Sequence, residues 1–98
     1  MVKLEITKVV NSYHTNSDGN IIFEKILDGF NENKEVIVSF KEITGVNSSF
    51  VNSAFIQLLD VYDFDFVKTH LKFSDSNRQI NQLIKNRFAF ENKKAVNV

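Results

Sequence analysis

Ninety-eight residues, 43% of them hydrophobic and ten of them phenylalanine, suffice for one domain with one filled core. Twelve basic and twelve acidic residues cancel, which leaves no electrostatic footprint for nucleic acid. Without cysteine, disulfides, thiolate nucleophiles and zinc–thiolate sites are excluded.

The chain opens on Met1-Val2-Lys3-Leu4-Glu5, where charge interrupts what would be the apolar core of a signal peptide. No apolar run approaches the ~20 residues of a bilayer span, so a cytoplasmic protein with no membrane contact is expected. Val2, Leu4 and Ile6 alternate with Lys3, Glu5 and Thr7, the period of a half-buried edge strand. Asn11 to Gly19 is polar and turn-rich and reads as a loop. Asp18 can cap the helix that follows, in which Ile22, Phe23, Ile26, Leu27 and Phe30 fall at helical spacing. Asn31 to Lys34 is the turn into a Val36–Phe40 strand. Its run Val36-Ile37-Val38 suits a central strand covered on both faces.

A second helix is expected from the Ser48-Ser49 pair to Tyr62, with Phe50, Ala54, Phe55, Leu58 and Leu59 inward and Asn52, Ser53, Gln57 and Asp60 outward. Asp63-Phe64-Asp65-Phe66-Val67 reads as a link that tucks its two rings against the core. A third strand lies around His70–Ser74. Asp75 or Ser76 then caps a last helix carrying Ile80, Leu83, Ile84 and Phe88. The alternation of strands and helices predicts an α/β domain with a mainly parallel sheet. It spans residues 1–98: an edge strand and loop over 1–18, core β/α units over 19–90, and a fraying tail over 91–98.

Catalytic chemistry is scarce. His14 and His70 have no Glu or His at a metal-ligand offset, so no metal site is expected, and each imidazole reads as solvated or half-buried. Three glycines make neither a phosphate loop nor a dinucleotide turn, so no cofactor is expected either. Asp60, Asp63 and Asp65 lack the Gly and Glu of a calcium loop. Asn47-Ser48-Ser49-Phe50 is not the turn that exposes a nucleophilic serine. The chain is therefore expected not to be an enzyme. Ser48 and Ser49 stand where loops after strand ends meet ligands and partners, and two readings stay open: a helix cap or a displayed, modifiable site.

The succession Val36-Ile37-Val38-Ser39-Phe40, Ile43-Thr44-Gly45, Asn47-Ser48-Ser49-Phe50 and Ala54-Phe55, with Ser76-Asn77 before the last helix, resembles the STAS-like domains of bacteria. These are small relatives of the anti-sigma factor antagonists, and the resemblance covers Gly19 to Phe88. In the antagonists the loop reads Asp-Ser-Ser-Gly or Asp-Thr-Ser-Gly, and a kinase of the histidine-kinase-like ATPase fold phosphorylates the second hydroxyl. Asn47 then falls on the Asp, Ser48 on the first hydroxyl, Ser49 on the phosphoacceptor and Phe50 on the Gly. The resemblance implies a regulatory protein-interaction module partnered by a histidine-kinase-like ATPase. Asn47, Phe50, Asn52, Ser53 and Gln57 would be its contact surface, with Ser49 (or Ser48) as its switch. A small-ligand or nucleotide sensor and a purely structural interaction subunit are the alternatives.

Overall fold

The computed structural model describes residues 1–96. Its elements are β1 (Val2–Glu5), α1 (Ile6–Val9), α2 (Asn16–Asn31), β2 (Val36–Ser39), α3 (Ser48–Ala54), a 3-10 turn (Ile56–Asp60), α4 (Phe64–His70), β3 (Leu71–Ser74) and α5 (Arg78–Val96). The three strands form one parallel sheet in the order β1-β2-β3. The Val36 strand is thus central and the N-terminal strand an edge, as the hydrophobic pattern predicts.

Register decides which side chains share a face. Val2, Val36 and Leu71 lie abreast, as do Leu4, Val38 and Phe73. These six side chains meet the helices. Gly29 of α2 comes so close that a Cβ there would lie 2.6 Å from Val36 Cγ2. Phe73 meets Phe55 edge-on at 5.2 Å between ring centroids. The opposite face carries Lys3, Ile37 and Lys72 in one row and Glu5, Ser39 and Ser74 in the next. Lys3 and Lys72 are exposed and Ile37 is only half-buried. The expectation that this strand is covered on both faces therefore fails at Ile37, although Ser39, next on the same face, is fully buried. The cause is topological. Each right-handed crossover places its helix on one side, and a sheet that always steps in one direction keeps all its helices there. Only a reversal of strand order would carry helices to the second face, and the order here has none.

Other departures from the sequence reading are local. The chain leaves β1 at Glu5 and coils into the short α1, which carries Ile6 into the core at 0% exposure. Asp18 does not cap α2. Thr15 does, accepting from the Asp18 N–H at 3.2 Å while the Asp18 carboxylate accepts from the Thr15 N–H at 3.3 Å. The Ser12 hydroxyl does most to hold the Asp18 carboxyl below its ordinary value; burial opposes this, and Thr15 and His14 add to it. The second helix stops at Ala54 and tightens into the 3-10 turn, yet Phe50, Val51, Ala54, Phe55 and Leu58 all remain fully buried.

The 63–67 stretch is no link. Asp63 accepts from the Phe66 N–H at 2.8 Å and starts α4; Phe66 packs against the core as expected, whereas Phe64 is half-buried and meets Phe88 edge-on at 6.2 Å between centroids. Asn77, and neither Asp75 nor Ser76, caps α5 by accepting from the Ile80 N–H at 3.0 Å. Asp75 instead has φ 54° and accepts from Ser39 Oγ at 2.6 Å. Helix α5 runs through the stretch expected to fray as far as Val96; positions 97–98 lie outside the described residues. No helix among the described residues is long and apolar enough to cross a membrane.

Candidate protein-interaction surface at the start of α3

Asn47 builds this site. Its extended backbone ends the loop after β2, and its Oδ1 accepts from the Phe50 N–H at 3.0 Å, which satisfies one of the free donors of the first helical turn. The opposite end of the same amide, Nδ2, donates to the His14 carbonyl at 2.9 Å and ties down the loop before α2. The cap role considered for the serines thus belongs to Asn47. Removing it in Asn47→Ala should cost about 0.5–2 kcal/mol, read as a lower urea midpoint at unchanged slope.

Ser48 and Ser49 follow in the first turn, both exposed, and among the described residues neither hydroxyl has a hydrogen-bond partner. The Ser49 carbonyl accepts from Ser53 Oγ at 2.8 Å. Phe50 is 0% exposed and meets Phe55 edge-on, so its ring belongs to the core and offers nothing to a partner. Ser53 is also buried, because α2 crosses it closely at Gly19. A Cβ on Gly19 would lie 2.9 Å from the Phe50 carbonyl oxygen and closer still to Ser53 Oγ. Glycine is what lets these two helices touch.

Asn52 and Gln57 are half-buried and committed to bonds. Gln57 Nε2 donates to Asn20 Oδ1 at 2.9 Å and to the Ser53 carbonyl at 2.8 Å. Arg87 of α5 donates from Nε to Asn52 Oδ1 at 2.7 Å and pairs with Glu91 at 3.0 Å. These residues line a polar groove of about 520 Å³ between α2, α3, the 3-10 turn and α5. Asn52, Ser53 and Gln57 therefore do share one surface, while Asn47, Ser48 and Ser49 stand at its α3 end. Sequence reading missed Asn20 and Arg87. They lie 37 and 35 residues from their partners, and no local pattern marks either.

The two histidines are structural or solvent-facing. His14 is exposed; His70 stacks on Phe66 at 3.9 Å between centroids and sits 3.2 Å from Asn33 Oδ1. Among the described residues no three His, Cys, Asp or Glu side chains converge as metal ligands. At the strand carboxyl ends, Ser74 Oγ and Ser76 Oγ are enclosed and have no partner among the described residues, near the Ser39–Asp75 pair.

Residues 18–81, well over half of the chain, match a STAS-like domain of unknown function (DUF4325). The chain belongs to this family. No curated protein and no solved structure matches it. The matched part of the STAS-like domain starts at Asp18 in the first turn of α2 and ends in the first turns of α5. It holds β2, β3 and the whole Asn47–Phe50 segment, whereas β1 and most of α5 lie outside it.

Proposed function

We propose that this STAS-like domain is a protein-interaction module without catalysis of its own, which docks a partner at the start of α3 and along the adjoining groove. Its partner is a histidine-kinase-like ATPase, and phosphorylation of Ser49 switches the contact off. The observation that carries this reading is the state of Ser48 and Ser49: exposed hydroxyls in a fixed turn, with the capping work done by Asn47. Serines that the fold does not need are free to serve a partner. A phosphoserine adds about −1.5 to −2 charges at pH 7, and burying that charge unpaired in an interface costs more than a docking contact supplies.

The test is a pull-down from native lysate with wild type, Ser49→Glu and Ser49→Ala, beside their melting curves. Ser49→Glu is expected to fold and lose its partner. Ser49→Ala keeps both partner and stability, the latter within about 0.5 kcal/mol because the cap lies elsewhere. Equal recovery by all three would refute the switch. A second reading, a small-ligand or nucleotide sensor, draws support from the enclosed hydroxyls of Ser74 and Ser76. A nucleotide that raises the melting temperature would favour it, since ligands stabilise the state they bind.

A further inference from the structure

Parallel sheets are almost always covered on both faces, and in this one the Lys3-Ile37-Lys72 row of the second face stays open, while Ser39 in the next row is fully buried. The bare face has a definite pattern. Ile37 sits at its centre on β2, flanked by its register partners Lys3 on β1 and Lys72 on β3. Strands about 4.8 Å apart place the two lysine Cα atoms roughly 10 Å from each other across the isoleucine. Neither lysine joins an ion pair among the described residues. Of the acids nearby, Glu5 is held by Lys8 at 3.8 Å and Asp75 by Ser39, while Glu35 stands at the strand entrance. Beside β1 the face adjoins a groove of about 450 Å³ that Lys3, Glu5, Lys8 and Val9 help to line.

We propose that this face seats an amphipathic helix of a partner protein, whose aliphatic ridge rests on Ile37 and whose flanking carboxylates meet Lys3 and Lys72. A helix with its side chains is about 10–12 Å across, so one laid along the amino-terminal half of β2, short of the buried Ser39, would put its two borders over the two lysines. It would supply the layer that a one-directional winding omits. A second copy of the chain fits poorly. Sheet against sheet, it would gather four lysines around two isoleucines, and like charges across an interface disfavour pairing. The inference stands apart from the α3 surface, which lies with the helices on the other side of the sheet.

The experiment uses the full chain, isotope-labelled, and two synthetic helices of roughly five turns. Both carry a leucine ridge; one is bordered by glutamates, the other by lysines. The acidic helix should bind and shift the amide signals of Lys3, Ile37 and Lys72 while leaving those of Ser48–Ala54 in place. Lys3→Glu combined with Lys72→Glu, shown by circular dichroism to be folded, should weaken it about tenfold or more. The basic helix should not bind. Failure of the acidic helix to bind, equal affinity for both helices, or shifts confined to α3 would overturn the proposal. So would a dimer in ultracentrifugation that Ile37→Lys dissociates, since the occupant would then be a second copy.

Discussion

Val38→Asp should abolish cooperative folding. Val38 is 0% exposed at the centre of β2, abreast of Leu4 and Phe73. A carboxylate there either stays charged without a partner or takes up a proton at a cost, and either way the penalty is several kcal/mol. A domain of this size holds only about 5–15 kcal/mol in total. Ile37→Asp, one residue earlier on the same strand, is the control. Its side chain emerges on the open face between two lysines, so the protein should still melt in one step with a loss within about 1 kcal/mol. Thermal unfolding followed by circular dichroism separates the two. Similar damage from both substitutions would mean that both faces of β2 are covered after all.

Phe55→Ala should cost about 3–5 kcal/mol, the usual range for an aromatic ring deleted from a core. The ring is fully buried and meets Phe40, Phe50 and Phe73, at 6.1, 6.2 and 5.2 Å between centroids. It thereby joins the end of α3 to β3 and to the residue that follows β2. Edge-on aromatic pairs each add about 0.5–1.5 kcal/mol beyond their buried area, so the loss should reach the upper part of that range. Phe90→Ala is the comparison: that ring is 57% exposed, and its contact with Arg87 is worth about 0.5–1 kcal/mol. Urea titrations of the two variants should differ several-fold in the shift of midpoint. Equal shifts would displace Phe55 from the centre of the core.

Hydrophobic period made the sheet and the long helices legible. The alternation Val2-Leu4-Ile6 and the spacing of Ile22, Ile26 and Phe30 report burial directly, and burial is what those elements are made for. Helix ends were harder to read because several capping residues stand side by side. Asn47, Ser48 and Ser49 can all cap, and so can Asp75, Ser76 and Asn77. The choice fell in both cases to an asparagine with a second bond to make elsewhere. Helix α4 escaped notice because Phe64 and Phe66 are two apart, a strand-like spacing, and only Val67 of its seven residues is fully buried. The bare face of the sheet could not be read from Val36-Ile37-Val38. Three apolar residues in a row look the same whether a helix or water meets the middle one.

Asn47 and Asn77 share a design with a consequence for motion. Each caps a helix with Oδ1 and grips a distant carbonyl with Nδ2, Asn47 that of His14 and Asn77 that of Thr44. Aspartate could do the first task but has no N–H for the second, and serine is too short to do both. The start of α3 is thereby latched to the loop that feeds α2, and the start of α5 to the loop that feeds α3. Helix ends ordinarily fray alone and cheaply. Here an opening at one start must release a loop belonging to another, so the three N-termini should exchange their amide protons as one linked unit. A disturbance at Ser49 would then be felt at Asp18 and Ile80 without any movement of the sheet beneath them.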